Sequence, residues 1–465
     1  MHGDFDRVTF DPLAGFANVL LQQGRLLLPS DFNEQGAILN YLLRQLIVDL
    51  HGSQWRVDKG FEIDVDSAET LKFAIAKGHF YIDGLLCQND KDCSYDEQPF
   101  WVTPASLADL EDDAVVFLTC WERHVSWLHY ARLREVALGG ADTATRVQLA
   151  WQVHVASEGL FEQLDTISKA LTARQKVADA DGKKDLTKRL KVITDLKNLF
   201  GDPATNLTND SAPTILAALD EARPLMAAEA KDDSTQPEPC VISAEAEYRG
   251  RENQLYRVEI HEPGLAAKAS FKWSRENGSV AFRVFDIVEA TVESADKSKT
   301  ETHVTLENLG RDRRTGLCEG DWVEVIDDVI EFNGDVTPLL QVSKIDAQRR
   351  IVTLKGKAPA LDLTRHAILR RWDHHADDEA RGIMRVTESN DTGWIDLERG
   401  VKIRFSVGGN YRKGDYWLVP ARVVTGDVEW PRDGDVPRPI PPQGPLYHRA
   451  SLAVVTKSSG TWKVK

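Results

Sequence analysis

Between Cys120 and Arg146 the sequence reads CWERHVSWLHYARLREVALGGADTATR, which brings Cys120, Glu122, Arg123, His124, His129 and Asp142 into one short stretch. A thiol and an imidazole suggest a nucleophile and its base, a pair that works only within hydrogen-bond reach. On a strand, Cys120, Glu122 and His124 share one face, with Trp121, Arg123 and Val125 on the other. At ~3.3 Å per residue, Cys120 and His124 stand ~13 Å apart, so a straight strand keeps them from meeting. A partner from elsewhere in the chain stays open. The structural reading fits the composition better: Arg123, Arg132, Arg134 and Arg146 alternate with Glu122, Glu135 and Asp142, which suits ion pairs that fix a long connection. Gly139-Gly140 supplies its turn.

The other candidates for chemistry are weaker. RRWDHHADDE gathers Asp373, His374, His375, Asp377 and Asp378, yet adjacent histidines face different ways and no H-x-H or H-E-x-x-H spacing occurs. A solvated charged loop is the expectation. DGDVPRPIPP and the turn at Asn333 lack calcium-loop spacing, and ALGGADT lacks the Lys-Ser/Thr of a phosphate loop. The 12 tryptophans sit mostly in alternating segments, where core positions outnumber sugar platforms. No catalytic residue, cofactor or metal is expected.

The bulk numbers agree. Of 465 residues, 28% are charged and 42% hydrophobic, as in a soluble globular protein of several domains. A net charge of -16 argues against general nucleic-acid binding, which needs a basic face. Five cysteines, Cys87, Cys93, Cys120, Cys240 and Cys318, form no C-x-x-C pair, so reduced thiols are expected. MHGDFDRVTFDPLAG has no signal-peptide pattern, and no apolar run is long enough to span a bilayer. Synthesis in the cytoplasm without a signal peptide is expected, and no direct membrane insertion.

The elements that would position these residues are mainly strands. An extended arm leads to a helix with Ser30 as N-cap, Asp31 in its first turn, Ile38, Leu39, Leu42, Leu46, Ile47 and Leu50 at helical spacing, and Gly52 as stop. KFAIAKGHFYIDGLLC reads as strands with turns at Gly78 and Asp83-Gly84; DDAVVFLTCWERHV and TRVQLAWQVHV read as strands as well. From about Leu160 to Ala230 apolar spacing becomes helical. DADGKK is a turn there, and ILAALDEARPLMAAEA is a last helix, kinked at Pro224. KDDSTQPEP is a linker. Strands then return, with a turn at Asn277-Gly278 and two similar turn-to-strand pieces, Gly320-Asp321-Trp322-Val323 and Gly414-Asp415-Tyr416-Trp417. A final strand is expected in RASLAVVTKS.

The expected fold is mainly β, as several small sandwich- or barrel-like modules with an N-terminal helix and a helical insertion, α+β overall. The expected divisions are an arm and helix over 1–54, a β domain over 55–158, a helical insertion and linker over 159–238, a β domain over 239–380 and a C-terminal β domain over 381–465.

Several stretches, in order, resemble a bacterial family known only as a domain of unknown function. GDFDRVTFDP and VLLQQGRLLLPSDFNEQ open it, and GHFYIDGLL, WERHV, REVALGGADTATR, FKWSRENGSV, GDWVEVIDD and GDYWLVPAR follow. Pro29-Ser30-Asp31-Phe32 stands where the family often has Asp-Ala-Asp-Trp. The resemblance implies a setting beside phage-tail-like contractile injection systems and brings no catalytic residues. It implies a structural subunit at a tail end: baseplate periphery, fibre link or cap adaptor. Its partners would be other tail, baseplate, sheath or tube proteins, and copies of itself in three- or six-fold symmetry. Alternatives are a carbohydrate- or cell-surface-binding protein and a cell-wall hydrolase. The residues assigned to assembly are Phe5, Phe10, Phe16, Arg25, Asp31, Asn33 and Glu34. The arm carries too many apolar residues to stay free in water, each favouring burial by roughly 1.5–3 kcal/mol, so it must dock on the body or on a neighbour.

Overall fold

The computed structural model describes residues 1–66, 70–101, 104, 106–108, 110, 113–156, 158–200, 208–231, 248–293, 298–376, 378 and 381–465. The linker expected at KDDSTQPEP falls almost wholly outside these residues, as do Cys240 and Asp377. The fold is mainly β, with an N-terminal helix, a helical insertion, one closed barrel and several smaller sheets.

The first sheet is built on the strand Ala114–Val125, whose alternation sends Ala114, Val116, Leu118 and Cys120 to one core and Val115 and Phe117 to another. Arg146–Ala156 pairs with it on one side and His448–Ser458 on the other, so the last long strand of the chain returns to the first sheet. The hairpin Gly78–Ile82 to Leu85–Asn89 turns at Asp83 and Gly84, both left-handed, and covers the inner face of that sheet. The outer face is covered by the insertion.

The helices are α1 (Pro29–His51), α2 (Glu158–Val177), α3 (Ala180–Phe200), α4 (Ala212–Ala218) and α5 (Asp328–Asn333). Leu164, Ile167 and Leu171 of α2, with Leu186, Ile193 and Leu196 of α3, pack against Val115 and Phe117. The break between α2 and α3 is shorter than the expected DADGKK turn: α3 already starts at Ala180, where the Asp179 carboxylate accepts the Gly182 amide at 2.8 Å. The expectation for MAAEA was also wrong. Ala222 takes a left-handed conformation, Pro224 lets no helix through, and Met226–Ala230 is a strand paired with Val401–Phe405. Alanine's helix preference is worth only tenths of a kcal/mol and yields to a full ladder of hydrogen bonds.

Ser30 is likewise not the N-cap. Leu28 occupies that position, Pro29 is the first helical residue, and Ser30 is buried inside the first turn. Proline needs no amide partner there, so the helix begins two residues earlier than a serine cap would dictate. Gly52 ends the helix as expected, at a positive φ of 84° and with its amide on the Val48 carbonyl at 2.7 Å.

The second half holds a closed six-stranded barrel running from Ala281–Glu293 to Ile368–Trp372, around Val304, Leu306, Val323, Leu354 and Leu369. Beside it, a five-stranded sheet centred on Gln254–Glu262 faces a three-stranded one centred on Val401–Phe405. Gly320-Asp321 and Gly414-Asp415 both act as turns into aromatic strands, Trp322–Ile326 and Tyr416–Arg422. In each, the aspartate accepts a nearby backbone amide, from Cys318 at 2.7 Å and Arg412 at 3.3 Å.

Candidate assembly surface

The first residues of the chain are built into the body. Gly3 and Asn277 exchange hydrogen bonds, the Gly3 amide to the Asn277 carbonyl at 3.1 Å and Asn277 Nδ2 to the Gly3 carbonyl at 2.9 Å. Arg257 donates to the Met1 carbonyl at 2.9 Å, and His2 Nε2 meets Glu259 at 2.8 Å. The left-handed Asn277-Gly278 turn leaves room for this: a Cβ at Gly278 would stand 2.7 Å from His2 Cδ2. Phe5 continues inward, edge-on to His124 at 5.4 Å.

Below this segment lies a cluster of buried charges. Lys272 Nζ sits 2.6 Å from Glu324 and 3.4 Å from Glu259, and Arg257 Nε donates to Glu259 at 2.6 Å. Burial alone would raise both carboxyl pKa values. Lys272 nevertheless holds Glu324 at about 2, and Arg257 with Lys272 keeps Glu259 well below the usual range. The Lys272 ammonium also rests 4.3 Å from the centre of the Trp372 ring. Burial lowers the nearby imidazoles, His261 to about 3 and His374 to about 4, so both are neutral at ordinary pH.

From Thr9 onward the character inverts. The arm touches α1 at three places: Thr9 Oγ1 donates to Glu34, the Val19 amide donates to Gln35 Oε1 at 2.9 Å, and the Phe10 ring lies 5.7 Å from Tyr41. Otherwise it lies open, with Leu13 94% and Leu26 88% exposed. The helix is fixed to the body by Arg44 on Glu122 at 2.5 Å, and by Gly84, where a Cβ would come within 2.5 Å of the Arg44 carbonyl. Only Ser30 and Ile38 of α1 are buried. Leu39, Leu42, Leu43, Leu46 and Leu50 all face solvent. About half of the exposed large hydrophobic side chains among the described residues lie between Val8 and Leu50.

The assigned assembly residues divide accordingly. Phe16, Arg25 and Asn33 are exposed, whereas Phe5 docks on the body and Phe10 and Glu34 tie the arm to α1. Asp31 is half-buried in the first turn of the helix. The leucines of the arm and the outward leucines of α1 are the stronger candidates. Their signal was present in the sequence: apolar residues at 38, 39, 42, 43, 46, 47 and 50 cover more of the helix than one packed face needs.

The stretch Cys120 to Arg146 is structural in its contacts. Cys120 is buried in the core, and its hydrogen bond with the Cys87 thiol, together with burial, raises its pKa. Arg123 pairs with Asp328 at 3.0 Å, Arg134 with Glu307 at 2.9 Å and lies over Trp127, and Glu122 with Arg44. The ion pairs expected within the stretch do not form: Glu122, Arg123 and Arg134 each pair with a residue outside it, while Arg132 lies over Tyr130 and Glu135 accepts the Ala137 amide. A cavity of about 1540 Å³ opens beside it, bordered by Trp121, His129, Arg370, Glu331 and Tyr447, with Phe32 and Asn33 of α1 also on its wall.

One ring nitrogen of His129 and single carboxylate oxygens of Asp328 and Glu331 lie within 4.8 Å of one another. This trio suits a cation poorly. The Asp328 oxygens already hold Arg123 at 3.0 Å and His366 at 2.6 Å, and His129 Nδ1 accepts the Ser126 amide, which places the ring proton on Nε2. Of the DHH stretch, His374 turns to the Gly382 carbonyl at 2.7 Å, Asp373 to Arg371 at 3.2 Å, and His375 to solvent. No helix among the described residues is long and apolar enough to cross a membrane.

A family described as a family of unknown function, DUF6519, matches residues 1–463. No curated protein matches the chain. Among solved structures, one described as the crystal structure of TssK aligns over 84% of this chain and 99% of that one, at 10% identity and a TM-score of 0.16, a likeness too low to carry an argument.

Proposed function

The chain belongs to DUF6519, a family of unknown function, and from that premise we propose that it is a structural, non-enzymatic subunit of a phage-tail-like contractile injection particle. Its place would be a tail end, as a baseplate-periphery, fibre-linking or cap-adaptor protein among tail, sheath or tube partners and copies of itself. The observation that carries the reading is the exposed apolar surface of the arm and α1. At roughly 60–100 Å² per large side chain, from about 2 kcal/mol of burial each at about 25 cal/mol per Å², it amounts to on the order of 1,000 Å². The largest apolar patch on a monomer is about 300–600 Å², and a standard interface takes about 800 Å² from each partner. The contractile setting rests on the motif resemblance drawn from the sequence, since the family's own description gives no function.

The alternatives have less support. Seven of the 12 tryptophans are buried and the other five half-buried, so no tryptophan offers a fully open face to a sugar ring. Of the carboxylates lining the cavity, Glu122 is engaged by Arg44, Glu259 by Arg257 and Glu324 by Lys272, which takes these three out of the free acid–base pair that glycoside hydrolysis needs.

The test is particle incorporation, followed by negative-stain imaging of the labelled chain. Deleting residues 1–30 would remove His2 from Glu259 and Gly3 from Asn277. The informative variant therefore keeps residues 1–5 and replaces Leu20, Leu26, Leu42 and Leu46 with serine. A folded variant absent from particles is the expected result; normal occupancy would overturn the proposal.

A further inference from the structure

We propose that the bare leucine face of α1 and the arm over residues 13–23 are covered by a second copy of this chain, the arm of one copy lying across α1 of the other. This rests on the assembly reading above and names its first partner.

The occupant must come from outside. The arm is held by Gly3 on Asn277, Thr9 on Glu34 and Val19 on Gln35, and α1 is held by Arg44 on Glu122. Neither can roll inward without breaking these bonds. Their own contact leaves the leucines of both uncovered.

The chemistry of the occupant follows from charge. Residues 13–23, LAGFANVLLQQ, and residues 36–43, GAILNYLL, contain no charged side chain, in a chain where 28% of residues are charged. Such a surface offers nothing to an acidic or basic partner. It fits a strip of aliphatic and aromatic side chains interspersed with neutral amides, and each of the two segments is such a strip. A second copy supplies both at once, so that arm meets helix and helix meets arm across one symmetric interface, or successively around a ring. The area on offer, on the order of 1,000 Å², is enough for a standard interface.

The same reasoning sets the salt dependence. Each copy carries a net charge of -16, so copies repel at long range while the contact itself is uncharged. Screening should strengthen the association, the reverse of an interface held by opposite charges.

The experiment mixes two variants of the full chain, Leu20→Cys and Leu46→Cys, under mild oxidation, with light scattering of the unmodified chain at low and high salt. The expected result is a cross-linked pair that joins the two variants, formed more readily at high salt and abolished when Leu42→Asp is added to the helix partner. A chain that stays monomeric at all concentrations and gives no cross-link overturns the inference. So does a monomer that floats with phosphatidylcholine vesicles, since lipid would then be the occupant. Self-association with no incorporation into particles would defeat the proposed function alone. Incorporation without the cross-link would defeat this inference alone.

Discussion

The strands Gln254–Glu262 and Ser270–Ser274 bury Arg257 to 2% exposure and Lys272 to 1%, while α1, on the same molecule, leaves Leu50 68% exposed. Each region reverses the ordinary preference of its residues. The charges tolerate burial because each meets a counter-charge and an aromatic face: Lys272 has Glu324, Glu259 and Trp372, and Arg257 has Glu259 and, at 3.7 Å, the Tyr416 ring. The leucines have no such local answer. A buried charge without its partner would be unstable inside this chain, whereas an exposed leucine is tolerated in it. Under the proposed function, the difference separates residues that specify the subunit from residues that specify what it joins.

The comparison breaks most easily at Lys272. Replacing it with methionine leaves Glu324 and Glu259 short of a counter-charge in a dry site, and should cost about 3–5 kcal/mol in urea unfolding. Adding Glu324→Leu should recover much of the loss. If Lys272→Met costs less than about 1 kcal/mol, the cluster is not what holds these strands.

A somewhat smaller effect is expected from acid. His261 and His374 are held neutral at about 3 and 4, so in the unfolded chain they bind protons more readily. Their contribution is full above about pH 6.5 and declines as pH falls toward those values. Glu324, held at about 2, adds a second decline once pH drops below about 4.3, the value of a free glutamate. Melting temperatures measured from pH 8 downward should therefore stay level, then fall in two stages. A melting temperature that rises below pH 6 would contradict the assignment of neutral buried imidazoles.

The smallest effect on the isolated chain sharpens the comparison from the other side. Leu42→Ser and Leu46→Ser should each change unfolding free energy by no more than about 0.5 kcal/mol, because both side chains are exposed. A loss of 2 kcal/mol or more would mean that α1 is packed in solution against its own body.

Much of the framework was legible in the sequence because it is written locally. Asp83-Gly84 and Asn277-Gly278 are turns since few residues accept left-handed conformations, and Ala114–Val125 is a strand since its alternation serves two cores. The helical insertion followed from a change in apolar period between neighbours in sequence. Where a local rule met a stronger local rule it misled, as at Ser30, where the preceding proline started the helix first.

What the sequence alone determined, then, is most of the strands, turns and helices, and that the arm carries too many apolar residues to stay free in water. Only the tertiary structure decided which segments meet. It brings His448–Ser458 back to Ala114–Val125, turns MAAEA into a strand against Val401–Phe405, seats Gly3 in the Asn277-Gly278 turn, and sets Lys272 between two glutamates. The physical reason is range. Backbone preference and apolar period act over a few residues, whereas ladder pairing and charge compensation join groups hundreds of positions apart, and nothing in the spacing of either partner records the other.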